Sequence, residues 1–329
     1  MRIRFVACNR VGSRLRTFWP AEALVARGWD AEASQRWPKP GQADVVIRHR
    51  PTDLDDVAAV QAHRDAGAVV LIDEDDELSA LPPEHGWQPN PVCLLRHDQC
   101  IEVSDGLTVS TQRLKTVYGP LAPRCWMIPN ALPARVAGYG GEPLRDGKVR
   151  IGWAGIVKTH RHDLHWLAPA AGAMIQGAVF TTIGDHRTWE TLGLRGRIDK
   201  IFGFAFDEAE YYRGMSRADI GLVPLLPCDF NRSKSALKAL EYATLGKPVV
   251  ATDLPEQRRI VRDGETGFLV GTPEDFAAAV QELVHNVRLR ERMGKAAREH
   301  AATMTLELRI GAWEKVLRSV AKSALAEVG

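Results

Sequence analysis

A chain of 329 residues exceeds what one ordinary hydrophobic core fills and suits two domains. With 45% apolar and 26% charged residues it reads as a globular protein, and no run reaches the ~18 apolar residues of a membrane-spanning helix. A net charge of +2 removes a strong electrostatic case for nucleic acid.

The first residues, MRIRFVACNR, lack the long apolar run of a signal peptide. Cys8, Cys93, Cys100, Cys125 and Cys228 are odd in number, scattered and free of CxxC spacing. Zinc spacing is therefore missing, and free thiols in a reducing compartment are expected. A cytoplasmic protein is the expectation, with peripheral membrane contact left open.

In chain order, IRFVAC (3–8) is an apolar, β-branched run that predicts a strand. The turn NRVGSR leads to a helical pattern over 18–27, closed by Gly28. ADVVIRHR (43–50) predicts a second strand, followed by a helix capped by Asp53 and stopped by Gly67. AVVLIDEDDE is a buried strand running into acid. GLTVST and CWMIPN are short strands flanking the helical QRLKTVYG. ALPARVAGYGGEPLRDGK is rich in Gly and Pro without periodicity and predicts a linker.

The same rhythm then restarts. VRIGWAG, AVFTTIGD, DIGLVPLL, KPVVATD and GETGFLV predict strands, with helical patterns between them. The tail from 306 is amphipathic, with Ile310, Trp313, Val316, Leu317 and Val320 on one side. Such alternation argues for two doubly wound α/β domains with parallel sheets. The expected boundaries are 1–132, a linker at 133–148, 149–305, and a C-terminal helix at 306–329. Ligands of such sheets bind beyond the carboxyl ends of the strands, so the cleft between the domains is the expected site.

FNRSKSALKALEYATLGKPVVATD (230–253) follows one of these strands. A helix starting at Ser233 places Lys234, Lys238 and Glu241 on one stripe. Two readings stand: a solvated charged face, or a ligand stripe. The position favours the second, because a helix N-terminus at this sheet edge suits phosphate. Glu241 lies about 10 Å further along, close to the span from a pyrophosphate to its ribose hydroxyls.

LEYATLGKPVVATDLPEQRRIVRDGETGFLV resembles the donor-binding region of GT-B glycosyltransferases of family 4, grouped as glycosyl transferases group 1. The resemblance implies a GT-B fold: two Rossmann-like domains facing a central cleft, with the last helix packing back on the N-terminal domain. In that family a Glu-x7-Glu pattern is common. Glu241 matches the second glutamate, which binds ribose, but Ser233 stands where the first should be. Asn231, Lys234, Ser235 and Lys238 are then expected to take contacts to phosphate or sugar. VRIGWAGIVKTHRHDLHWL resembles the first strand and loop of the donor domain, with residues 152–155, His160, Asp163 and Leu164 matching. Where the family uses an arginine this chain has Ile156, and Arg161 occupies the lysine position, with Lys158 as a second cation. Gly155 and Phe204 complete the expected donor contacts, the base lying near residues 203–205.

On the acceptor side, Gly12, Ser13 and Arg14 follow the first strand, although GxGxxG is absent. The acidic run 73–77 ends a buried strand, and three readings stay open: a divalent-metal site, acceptor recognition through Asp75 and Asp76, or a structural loop. His49 and His97 end or precede elements that face the cleft, and His160 sits in the donor loop. GxSxG and HExxH are missing, which removes support for hydrolases.

The expected activity is transfer of a sugar from a UDP- or GDP-sugar to an acceptor hydroxyl. Lys234, Arg161, His160 and His97 are the candidate catalytic residues, and no further cofactor or metal is required. The resemblance implies retention of anomeric configuration. The acceptor is open: a saccharide, lipid-linked glycan, protein, small molecule or DNA. Three rivals are a nucleotide-sugar epimerase, a non-catalytic nucleotide-sugar binder, and a transferase acting on nucleic-acid bases. The last would use the arginines at 2, 4, 10, 14, 16, 48 and 50.

Overall fold

The computed structural model describes residues 1–9, 12–140, 146–185, 187–194, 198–203 and 207–326. Six strands form the first sheet: β1 (Arg2–Val6), β2 (Asp30–Ser34), β3 (Val45–His49), β4 (Val69–Glu74), β5 (Gly106–Val109) and β6 (Cys125–Met127). Their order is β2-β1-β3-β4-β5-β6, all parallel. The central strands read as near-continuous apolar runs because helices cover both faces of a parallel sheet. Every residue of β3 and β5 is buried.

The second sheet holds β7 (Val149–Gly155), β8 (Ala178–Gly184), β9 (Ile198–Gly203), β10 (Ile220–Val223), β11 (Val249–Thr252) and β12 (Gly267–Val270). Its order, β12-β11-β10-β7-β8-β9, is that of dinucleotide-binding folds. Strand order reverses between β1 and β3 in the first sheet and between β7 and β10 in the second. These two reversal points open crevices at the carboxyl ends of the strands.

The domains are joined by more than a linker. One apolar cluster runs from Phe5 and Ile47 through Val136 to Tyr212, Leu240 and Val316. The last helix, Gly311–Ala326, supplies Trp313, 2% exposed, whose ring lies 5.4 Å from that of Phe5. Its Glu314 accepts hydrogen bonds from Arg27 and Trp29 of the first domain. The tail thus packs back on the N-terminal domain, as the amphipathic pattern and the resemblance imply. No helix among the described residues is long and apolar enough to cross a membrane.

Candidate functional site

A cavity of about 250 Å³ lies between the domains, where both reversal points face each other. Gly12, Arg50, Asp75 and Asp76 form its N-terminal wall, and Asn130 its floor. His160, Val223, Leu225, Lys234, Ser235, Leu237, Lys238 and Gln257 form the opposite wall. A larger hollow of about 450 Å³ opens at the outer edge of the first sheet beside Arg2, Arg4 and Trp37. Its Arg2 and Arg4 are already paired with Asp44, Asp30 and Glu32, and it shares no lining residue with the interdomain cavity. The interdomain cavity is therefore the candidate.

On the donor-side wall, β7 ends at Gly155, where a Cβ would stand 2.8 Å from the Trp153 ring. Only glycine leaves that ring in place, and the ring packs edge-on against His160 at 6.0 Å. The helix Val157–Met174 is broken at His160 (φ −130°, ψ 17°). His160 Nδ1 bonds the carboxylate of Asp163, three residues on, at 2.8 Å. Asp163 is fully buried and also accepts from the Leu226 N–H (2.8 Å) and Asn231 Nδ2 (2.6 Å). One carboxylate thereby ties the loop after β7 to the loop after β10. Asn231, 1% exposed, reaches the site only through that anchor.

The predicted single helix from Ser233 is not formed. A short helix, Asp229–Ser233, is followed by extended Lys234 (φ −68°, ψ 138°), and a second helix begins at Leu237. The break has a tertiary cause. Thr111 Oγ1 of the first domain donates to the Ser233 carbonyl at 2.9 Å, and Asn130 Nδ2 donates to Ser235 Oγ at 2.7 Å. Ser233 is itself fully buried, its hydroxyl spent on the Phe230 carbonyl.

Lys234 still reaches the cavity. Its Nζ lies 3.5 Å from Asp76 across the cleft and 4.4 Å from the centre of the Phe230 ring. Lys238 donates to Tyr211 Oη and Glu241 Oε2, both at 2.7 Å. Glu241 is 4% exposed, behind Lys238, and Tyr212 donates to its other oxygen at 3.2 Å. Burial and the Glu241 charge push both tyrosine hydroxyls well above their ordinary pKa, so they remain donors.

The acidic run is divided among separate cations. Asp73 is bound by buried Arg16, Glu74 by His97, Asp75 by His49 and Arg50, Asp76 by Arg50 and Lys234, and Glu77 by Arg113. Burial alone would lower the His49 pKa, but the Asp75 charge and hydrogen bond outweigh it and raise it to about 10. Asp75, for its part, is buried yet held well below the carboxylate range by Arg50 and His49. Arg50 has φ +49°, a left-handed backbone that costs a non-glycine residue about 1 kcal/mol. That turn delivers its guanidinium to the Asp75–Asp76 pair.

The structure thus brings Gly12, Asp75, Asp76, His160, Lys234, Ser235 and Lys238 around one cavity. Other candidates fall elsewhere. His97 is fully buried inside the first domain between Glu74 and Asp98. Arg161 and Lys158 are exposed, and the Lys158 carbonyl accepts the Gly86 N–H of an N-terminal loop. Arg14 stands 3.9 Å from Glu208, and Ser13 is buried beneath the wall. Phe204 and Ala205 lie outside the described residues. Sequence reasoning passed over Asn130 and Gln257 as site residues and named Arg50 only for the nucleic-acid reading. Gln257 is 1% exposed, and its amide oxygen has no hydrogen-bond partner among the described residues. The EQRR run gave no signal for it.

Residues 148–286 match the family described as Glycosyl transferases group 1. A D-inositol 3-phosphate glycosyltransferase of Paenarthrobacter aurescens is 40% identical over 161 residues, 48% of this chain and 37% of that protein. The protein of the same description from Kribbella flavida is 35% identical over 271 residues, 72% of this chain and 62% of its own. The chain thus spans less than two thirds of the length of either relative. Sucrose-phosphate synthase of Thermosynechococcus elongatus superposes with a TM-score of 0.72 at 15% identity, over 98% of this chain and 100% of its own. Anabaena HepE in complex with UDP-glucose gives the same score, identity and coverage. At that identity the likeness establishes fold alone. Fold and family match converge: the chain has the GT-B fold, and its second domain is of the glycosyl transferases group 1 type.

Proposed function

We propose that the protein is a glycosyltransferase that moves a sugar from a UDP-sugar to an acceptor hydroxyl, retaining anomeric configuration and needing no metal. The observation that carries this reading is the meeting of Lys234, Ser235, Lys238 and His160 at the reversal point of the second sheet, opposite Asp75 and Asp76. The D-inositol 3-phosphate glycosyltransferases among its relatives support glycosyl transfer, and the UDP-glucose held by a neighbour of the same fold supports the donor class.

Lys234 and Lys238 are the groups that offset charge on the departing diphosphate, the role a metal plays elsewhere. The C1–O bond to the diphosphate breaks, the acceptor oxygen bonds C1, and its proton leaves with the phosphate. Glu241 remains the ribose anchor in this reading. A ribose diol that takes Oε2 of Glu241 displaces Lys238, which then turns to the diphosphate. Lys234 makes the matching exchange from Asp76. Asp76, once released, is free to accept a hydrogen bond from the acceptor.

The test is a thermal-shift screen with UDP, GDP, ADP and TDP in EDTA, on wild type, Glu241→Ala and Lys234→Ala/Lys238→Ala. A ligand that binds the native state raises the melting temperature by mass action. Stabilisation by UDP that both variants lose is the expected result, followed by NMR of the product's anomeric proton. No shift with any nucleotide would overturn the reading.

A further inference from the structure

Beneath the N-terminal wall, three strand ends bring together a nucleophile and a base that the transfer reaction leaves unused. Cys8 follows β1, His49 ends β3, and Asp75 follows β4. His49 is fully buried. Its Nε2 lies 3.0 Å from Asp75 Oδ1, and its Nδ1 lies 2.9 Å from Ser13 Oγ and 3.6 Å from Cys8 Sγ. Ser13 Oγ is in turn 3.2 Å from Cys8 Sγ.

A serine hydroxyl offers one proton and two lone pairs. The Asn9 N–H uses one lone pair of Ser13, at 3.2 Å. The remaining lone pair and proton are shared between His49 and Cys8. Besides an imidazolium His49 with a Cys8 thiol whose sulfur weakly accepts from Ser13, two arrangements satisfy them. In one, Cys8 S–H donates to Ser13, which donates to a neutral His49. In the other, an imidazolium His49 donates to both Asp75 and Ser13, and Ser13 donates to a Cys8 thiolate. Asn9 Nδ2 adds a second donor to the sulfur at 3.3 Å. Donors converging on sulfur, and a carboxylate on the far nitrogen of the ring, favour the second. This is the nucleophile–base–orienter arrangement, with a hydroxyl as relay.

We propose that Cys8 is a thiolate site of covalent modification, taking low-molecular-weight disulfides and soft electrophiles beneath the N-terminal wall of the cleft. With a disulfide, the sulfur of Cys8 forms the new S–S bond, the old S–S bond breaks, and one thiolate leaves. Electrons and protons balance without a further reagent. The assignment stands whether or not the protein transfers sugars.

Cys8 is partly exposed and so open to attack. The cations facing it are His49 and Arg50 from β3, while Glu74, Asp75 and Asp76 from β4 gather on Arg50. Burial pushes the Cys8 thiol up, but the His49 bond and charge, with Arg50 and Ser13, bring it below the ordinary thiol value. The other four cysteines are shifted upward, chiefly by burial, and serve as internal controls.

The experiment is timed labelling of the full chain with iodoacetamide, and separately with oxidised glutathione, with each cysteine read by peptide mass spectrometry from pH 5.5 to 9. An ordinary thiol is only about 3% thiolate at pH 7. After allowance for the lower intrinsic nucleophilicity of a stabilised thiolate, Cys8 should label about fivefold to tenfold faster there than Cys93 or Cys125. Its pH profile should rise at lower pH than those of Cys93 and Cys125. Ser13→Ala and His49→Gln should slow labelling and move the profile to higher pH; melting temperatures report that each variant is folded, and Ser13→Ala, which removes little volume, is the milder of the two. Equal labelling of Cys8 and Cys93 would overturn the proposal. So would a fast Cys8 whose profile neither variant moves, since that outcome means exposure alone.

Discussion

Lys234 has a structural partner and a proposed chemical one, and the two differ in magnitude. Its ion pair with Asp76 spans 3.5 Å between side chains 20% and 21% exposed. Such a pair contributes about 1 kcal/mol or less. Its contact with the Phe230 ring adds about 0.5–1 kcal/mol. Lys234→Ala should therefore cost roughly 1–2 kcal/mol of stability, a few degrees in melting temperature for a chain of this size. Loss of a cation from a departing diphosphate costs about 3–4 kcal/mol of barrier, or roughly 10²–10³ in rate. Asp76→Asn breaks the same ion pair and keeps the lysine. UDP affinity by calorimetry, and UDP release with a UDP-sugar and acceptor, separate the two roles. Lys234→Ala should lose nucleotide affinity, and Asp76→Asn should keep or strengthen it. Wild-type affinity in Lys234→Ala, with transfer within about threefold of normal, would refute a diphosphate role.

Arg16 is 1% exposed and gives Asp73 two bonds, at 2.9 and 2.5 Å, while also holding the Ile128 carbonyl and Asn130. Arg16→Leu strands a buried carboxylate and should cost about 3–5 kcal/mol in urea unfolding, with Arg16→Leu/Asp73→Leu recovering most of it. Glu241→Gln keeps the Tyr212 contact but weakens the hold on Lys238; UDP affinity should fall about tenfold at little cost in stability, and an unchanged affinity would remove Glu241 from the site. Burial, together with the charges of Lys234 and His160, lowers the pKa of His85 and His162. Their share of stability is therefore present above about pH 6.5 and lost as pH falls below it. His49 and His97, raised to about 10 and about 9, act oppositely: their share is complete below about pH 6.5 and lost as pH rises towards those values. Among the described residues neither ring nitrogen of His162 has a hydrogen-bond partner, so His162→Phe should flatten the acid limb of a plot of melting temperature against pH. An unchanged limb would contradict that assignment.

Interior strands were legible because burial on both faces forces apolar runs such as VVIRH and VVLIDE. Two edge strands were not. β2, DAEAS, has no fully buried residue, so its composition carries no strand signal, and β9 lies at the opposite edge of the other sheet. The site divides along the same line. His160 and Asp163 are local partners, three residues apart, and their motif could be read directly. The break at Lys234 could not, because Thr111 and Asn130 impose it from the first domain. Glu241 is expected to face the cleft as a ribose anchor on a charged stripe, yet Tyr211 and Tyr212, some thirty places earlier, close over it. Cys8, Ser13, His49 and Asp75 meet only through the register of three parallel strands.

The division between what is fixed and what can exchange follows from burial. Asp163 has no exposure and three donors from two loops, so moving it would strand a buried charge; it holds the crevice of the second sheet rigid. Lys234 sits 20% exposed on Asp76, a pair that a ligand can replace at little cost, whereas Lys238, 30% exposed, sits on buried Glu241 and is released only by a ligand that takes over the bond to Oε2. In the proposed reading, a diphosphate entering the cavity meets two cations already aimed inward, of which Lys234 is the more weakly retained. Such a site avoids leaving its lysines unpaired in the closed cleft and still yields them to a stronger anion. With Ser233 buried and its carbonyl bound by Thr111, the position of the first glutamate of the Glu-x7-Glu pattern does not face the cavity, whose neutral polar side chains are Asn130, Ser235 and Gln257.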